Sequence, residues 1–180
     1  MKWSCFIAAI VGLAVAGDAR GASGDWNIWC NASGVNRIAV AGDSLWCATR
    51  GGIMVMNLLD STFVRQIDGL GFLSTDVTGI AIDRDGAVWA GFRATGVARV
   101  DRFAPDAIVK LYSAAIEGLL SDSVTCIAAA GEDVYYGSSA GVAKFYENVH
   151  SSESVLTDSL AGVRVHDLLV RDDTLYVACD

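Results

Sequence analysis

A chain of 180 residues has room for one domain with a real core. Its formal net charge of −8, with no basic stripe to neutralise phosphates, excludes a nucleic-acid partner. The 53% hydrophobic share is raised by the N-terminal apolar run, but strand-dense segments keep the rest apolar as well.

Lys2 is followed by an apolar run from Phe6 to Ala16, broken only by Gly12 and ending in the small-x-small site Ala14-Val15-Ala16. Residues 1–16 therefore read as a secretory signal peptide, with cleavage as late as residue 19; the run is too short for a membrane span. Cys5 lies too early to serve a lipoprotein cleavage site. Residues 17–25 form a small-residue linker, and Trp26 to Cys30 reads as a strand at the start of the folded part, 26–180.

From Val35 onward the chain writes one unit repeatedly. The Val that opens its first apolar run falls at Val35, Val77, Val124 and Val165, spaced 42, 47 and 41 residues apart. A second run opens with Leu45-Trp46, Val88-Trp89, Val134-Tyr135 and Leu175-Tyr176. An acidic turn separates the two runs in every copy: Gly42-Asp43-Ser44, Asp83 to Gly86, Gly131-Glu132-Asp133 and Asp172-Asp173-Thr174. Gly52, Gly96 and Gly141 follow the second run in the first three copies. Runs of four to six residues rich in Val, Ile and Trp, bounded by Asp and Gly, mark short antiparallel strands joined by hairpins; no 3.6-residue period fits them.

A repeat of this length, built from four short strands, predicts an all-β chain of β-propeller blades. One small twisted sheet cannot bury both of its faces, and stacking blades around an axis covers them. The expected blades are 35–67, 77–112, 124–156 and 165–180, with the second-strand aromatic filling the space between neighbours. Within the third blade, Glu147 to Glu153 reads as a polar connection before the outer strand. About three and a half blades are written, so the chain reads as a fragment of a larger propeller.

Gly69 to Asp101 resembles the two-component-regulator type of propeller repeat. The match rests on Gly69, Leu70, Ser74, Val77, Ile80, Asp83, Asp85, Gly86, Val88, Trp89, Gly91, Gly96 and Val97. The third copy repeats it at Gly118, Leu119, Ser121, Val124, Ile127, Val134, Gly137, Gly141 and Val142, with Tyr135 in place of the usual Trp. The opening Gly24-Asp25-Trp26 followed by Val35 to Val40 is also similar to the N-terminal propeller of PorZ-like type IX secretion proteins. The first resemblance implies the extracytoplasmic sensor part of a two-component signalling protein, with its membrane span and kinase beyond Asp180. The second implies a surface or secretion-associated scaffold. Either way the chain is expected to be an exported, periplasmic or cell-surface binding module for a small ligand, glycan or protein. It would meet the membrane only through regions outside this chain.

The candidate chemistry is sparse. Asp83-x-Asp85-Gly86 echoes the opening of a calcium loop, but Ala94 stands where the bidentate Glu belongs, so a hairpin is the better reading. His150 sits in the polar connection, and His166 takes the first-strand place held by Asn36, Thr78 and Thr125 in the other copies. Neither has Cys or carboxylate neighbours at metal-ligand spacing. With no nucleophile elbow either, no enzyme activity, metal or cofactor is expected. Of the cysteines beyond the signal, Cys30, Cys47, Cys126 and Cys179, the spacing gives no pairing; Cys126 and Cys179 are expected to be buried free thiols on strands. The loops on the binding face offer Arg50, Arg93, Ser138, Ser139, Ser74, Asp76, Asp122 and Arg164. Arg50 and Arg93, in equivalent places of blades one and two, are the expected two-pronged site for an anionic group or glycan.

Overall fold

The computed structural model describes residues 34–67, 74–101, 108–146, 149–154, 160 and 162–180. The segments read as signal peptide and linker, the Trp26 to Cys30 segment with Cys30, and the Gly69-Leu70 match lie outside them. Blade one comprises β1 (Val35–Ala41), β2 (Ser44–Thr49), β3 (Gly52–Asn57) and β4 (Phe63–Ile67), paired in that order. Blade two has β5 (Val77–Ile82), β6 (Val88–Phe92), β7 (Gly96–Val100) and β8 (Ile108–Tyr112), again in sequence order. Blade three has β9 (Val124–Ala130), β10 (Asp133–Ser138), β11 (Gly141–Tyr146) and β12 (Val149–Ser154). Only β13 (Val165–Arg171) and β14 (Thr174–Cys179) represent blade four. All pairings are antiparallel. The first strand of each blade packs against that of the next, β1 on β5, β5 on β9 and β9 on β13, so these four strands line the axis of a propeller arc.

The acidic turns close the first hairpin of each blade. Gly42-Asp43 joins the facing pair Ala41 and Ser44, with Gly42 at φ 56°; Gly131-Glu132 does the same in blade three, with Gly131 at φ 63°. Blade four places Asp172 and Asp173 there at φ 49° and 58°, a conformation Asp accepts more readily than most L-residues. Blade two uses a longer turn in which Asp83 is the organiser. Its Oδ1 accepts from the Ala87 N–H at 2.8 Å and its Oδ2 from Trp89 Nε1 at 2.8 Å. Both carboxylate oxygens thus serve the hairpin and its tryptophan. Trp46, the counterpart in blade one, has a shorter turn beside it, and its buried indole N–H meets no acceptor.

The core is three apolar layers, one at each blade junction. Trp46, Ile53 and Val55 of blade one meet Val77, Ile80, Val88 and Phe92 of blade two. Trp89, Val97 and Tyr112 meet Val124, Ile127, Tyr136 and Phe145 of blade three; Trp89 lies 5.6 Å from Tyr112 and 5.0 Å from Phe145, centroid to centroid. Cys126 and Val142 meet Val165 and Leu168 of blade four. The two-residue period of a strand divides each sheet between its two junctions: Val88 and Ala90 face blade one while Trp89 faces blade three. The second-strand aromatic always points to the following blade. Tyr176 keeps that direction on blade four and is 56% exposed; on the opposite end, Val35, Ile38 and Val40 of blade one are exposed too.

The junctions need residues without side chains. A Cβ on Gly79 would stand 2.8 Å from the Ile127 main-chain nitrogen, one on Gly91 2.5 Å from Val124 Cγ1, and one on Gly137 2.6 Å from Cys126 Sγ. Between blades two and three the chain adds α1 (Ala114–Glu117), a single turn unforeseen in the sequence reading. Its cues are local: the Ser113 hydroxyl accepts from the Ile116 N–H, the Glu117 carboxylate accepts from the Ser113 N–H, and Gly118 ends it in the left-handed region.

Two expectations are corrected. The segment read as a polar connection in blade three is largely the outer strand itself, for β12 pairs with β11 through Lys144 and Glu153 and through Phe145 and Ser152. An outer strand far from the axis does not need an apolar sequence to pair. Cys179 is exposed rather than buried, because among the described residues no sheet covers β14 on its far side; Cys47 and Cys126 are buried.

Replacing Gly79 with Ala should lower stability by about 1–3 kcal/mol, since main chain rather than a movable side chain opposes the new methyl. Urea unfolding followed by tryptophan fluorescence reads this, and an unchanged midpoint would contradict so close a junction. Burial also pushes the Cys47 and Cys126 thiols up from their ordinary values, so each carries less thiolate near pH 8. Cys179 should therefore be the first of these three to take up iodoacetamide in the native protein, as peptide mass spectrometry would show.

Candidate functional site: the axial cavity

The second residue of each first strand faces the axis. Asn36, Thr78, Thr125 and His166 line one cavity of about 230 Å³, together with Arg37, Arg93 and Arg164. Just outside these positions one hydrogen bond recurs in every blade. The N–H of the residue after the second strand donates to the carbonyl of the residue before the first: Arg50 to Gly34, Arg93 to Asp76, Ser139 to Ser123 and Asp180 to Arg164, at 3.1 to 3.4 Å. It fixes the rim at the same height around the arc, which is why residues so distant in sequence converge.

Some cavity residues also tie blades together. Asn36 Nδ2 donates to the Val77 carbonyl at 2.7 Å, and Thr78 Oγ1 donates to the Val124 carbonyl at 2.7 Å; each reaches the residue that opens the next first strand. Among the described residues the Thr125 hydroxyl has only the sulfur of Cys126, 3.6 Å away, within reach.

Most of the charge in the cavity is neutralised locally. Arg37 of blade one reaches Asp167 of blade four at 2.7 Å, so the arc is curved enough for its first and last blades to touch at the axis. Arg93 Nε lies 2.5 Å from Asp76 Oδ2, and Asp76 Oδ1 also accepts from Asn36 Nδ2 at 3.3 Å. His166 Nε2 is 2.7 Å from Asp180 Oδ1. These are exposed pairs, worth at most about 1 kcal/mol apiece, so their role is to orient side chains. Arg164, exposed at the start of β13, has no ion-pair partner among the described residues.

The residues expected at the site part company in the structure. Arg93 and Arg164 line the cavity. Asp76 stands behind Arg93 as its counter-ion. Arg50, the other prong of the expected pair, folds back over Gly34, with its Cδ 3.6 Å from where a Gly34 Cβ would be, and does not line the cavity. Blade one offers no acid at the place of Asp76, only Gly34, so nothing draws that guanidinium inward. Asp122 is occupied elsewhere: its Oδ1 accepts from the Ala114 N–H at 2.6 Å and its carbonyl from the Gly96 N–H at 3.0 Å. Ser74 Oγ accepts from the Asp76 N–H, and Ser139 exchanges a hydroxyl hydrogen bond with Ser121.

Ser138 is corrected outright as a binding residue. It is 0% exposed, donates to the Gly141 carbonyl at 3.1 Å and accepts from the Ala140 N–H at 3.1 Å. Thr49 makes the same pair of bonds in blade one, to Gly52 and from Gly51. Both hydroxyls close the turn between second and third strands. Conversely, the sequence reading treated Asn36, Thr78, Thr125 and His166 as equivalent strand positions without placing them in the site; their shared polarity inside an otherwise apolar strand was the available signal.

The architecture belongs to the β-propeller class, and comparison with known structures agrees. The chain is similar to the extracellular domain of BT4673 of B. thetaiotaomicron, described as a one-component system, with TM-score 0.68 and 21% identity over 81% of this chain and 21% of that one. It is similar to the extracellular domain of BT3049 of the same organism, described as a hybrid two-component system, with TM-score 0.66 and 16% identity over 80% and 20%. It is also similar to PorZ, a surface component of the type IX secretion system of Porphyromonas gingivalis, with TM-score 0.61 and 19% identity over 86% and 20%. The chain thus spans about one fifth of the length of each of these proteins. At such identities the likeness shows the fold. No family model and no curated protein matches the chain.

Because the Ser138 hydroxyl is spent on a turn, S138A should cost about 1–3 kcal/mol of stability by stranding the Ala140 N–H and Gly141 carbonyl. Thermal unfolding would read the loss; a variant as stable as the parent would return Ser138 to the list of candidate ligand contacts.

Proposed function

We propose that this chain is an exported β-propeller binding module, the extracytoplasmic input part of a two-component signalling protein. One observation carries the reading. The opening position of each first strand repeats the same residue, Val35, Val77, Val124 and Val165, the last three buried at blade junctions, whereas the adjacent cavity positions vary through Asn36, Thr78, Thr125 and His166. Packing holds a position to one shape in every blade; a position that faces a ligand is free to differ. The extracellular domains of BT4673 and BT3049 share the architecture and support this placement.

Binding fits the cavity better than catalysis does. His166 is engaged with Asp180, and no carboxylate is among the cavity-lining residues. Among the described residues no helix is long and apolar enough to cross a membrane, so anchoring would fall to other parts of the polypeptide. The structural likeness to PorZ favours a second reading, in which the same arc is a scaffold for protein contacts at the cell surface.

A fusion of residues 1–25 to alkaline phosphatase lacking its own leader tests export. Phosphatase activity is expected with the segment and should vanish when Phe6 to Ala16 is deleted; an inactive fusion carrying the intact segment would overturn the reading. An antibody against this chain then separates the two roles. The sensor reading predicts a polypeptide much larger than 18.9 kDa in the inner-membrane fraction, and the scaffold reading predicts labelling of intact cells.

A further inference from the structure

Taking the binding-module reading as its basis, we infer that the axial cavity is a site for a small polyhydroxylated carboxylate, the chemistry of an acidic monosaccharide, with Arg164 and Thr125 holding the carboxylate.

Which groups remain available decides the ligand. Of the three guanidiniums that line the cavity, Arg37 is matched by Asp167 and Arg93 by Asp76, and the imidazole of His166 is matched by Asp180. Arg164 lines the cavity with no ion-pair partner among the described residues. Its planar fork suits the two oxygens of a carboxylate. Among the hydroxyls, Thr78 is committed to the Val124 carbonyl, and the Asn36 amide N–H groups to Val77 and Asp76. Among the described residues Thr125 has a single weak contact, to sulfur, and can turn its O–H to a ligand oxygen. Arg164 and Thr125 therefore supply donors to an anion. Asn36 Oδ1 and the second ring nitrogen of His166 supply complementary partners for ligand hydroxyls.

Charge and size narrow the class. A dianion such as phosphate would gain one uncompensated cation and meet the fields of Asp76, Asp167 and Asp180; a single carboxylate matches the single free charge. The cavity volume of about 230 Å³ lies below the roughly 300 Å³ at which drug-sized pockets begin, so one sugar ring fits the scale. No aromatic residue lines it, so recognition would rest on polar contacts.

Isothermal titration of the purified chain with D-galacturonate, its methyl ester, D-galactose and inorganic phosphate provides the test. Galacturonate should bind, and the ester and galactose at least about tenfold more weakly. R164A and T125V should each weaken galacturonate, R164A by about tenfold or more, and R164K should recover part of the loss. R50A, outside the cavity, should bind as the parent does. Circular dichroism and melting of each variant separate lost contact from lost fold. Equal binding of galactose, or full affinity in a folded R164A, would overturn the anion site; tighter binding of phosphate would overturn the carboxylate. Failure of galacturonate to bind would also sink the proposal. The phosphatase fusion is independent of all these results, so a failed titration beside intact export leaves the exported module standing without this ligand.

Discussion

At Gly79, Gly91 and Gly137 neighbouring blades approach so closely that one methyl group would meet main chain or a buried aliphatic side chain. This proximity is the constraint from which the rest of the arc follows. Between blades two and three it lets Trp89 lie 5.0 Å from Phe145 of the next sheet, centroid to centroid, within the apolar layer of that junction. It also sets the spacing of the first strands. Asn36 and Thr78 span that spacing with one hydrogen bond each, and the accumulated angle over four blades brings Arg37 within reach of Asp167. Loosen the junction and the cavity loses its walls.

The fold was largely legible because its driving force is periodic. Val77, Val124 and Val165 at the starts of first strands and Trp46 and Trp89 early in second strands lie buried at the junctions, so the repeat in the sequence is largely the repeat in the core. The site was legible only in part. The sequence offers Arg50, Arg93 and Arg164 alike as loop residues of the binding face, but Arg50 follows Gly34 instead of an acid and turns away, a difference that depends on a partner sixteen residues earlier. Ser138 looks like a loop hydroxyl until its hairpin closes around it. Cys179 was misjudged for a different reason: burial in a stacked architecture is conferred by the next unit, and a strand's own residues do not reveal whether that unit is present.

The axial cavity illustrates how a propeller separates stability from recognition. Along β5, β9 and β13 the opening valine enters a junction and the residue after it faces the cavity. Sequence can therefore drift at Asn36, Thr78, Thr125 and His166 without disturbing the apolar layers, while each blade adds one side chain to a common ring. Arcs of one architecture can accordingly carry unrelated specificities, and the chemistry of the cavity says more about function than the fold does.

Because the second-strand aromatic always points forward, the arc has a direction, and its units are unequal. Blades two and three are sandwiched on both faces; blade one presents Val35, Ile38 and Val40 to solvent, and blade four presents Leu169 and Tyr176. Stability in such a linear array is close to a sum of nearest-neighbour contacts. Its amide protons would exchange from the two ends inward, with β5 to β7 and β9 to β11 the last to open. The cavity draws residues from both rims and the centre, so it would register fraying at either end. A ligand bridging blades three and four would then tighten the C-terminal edge of the arc, converting occupancy into order in β13 and β14.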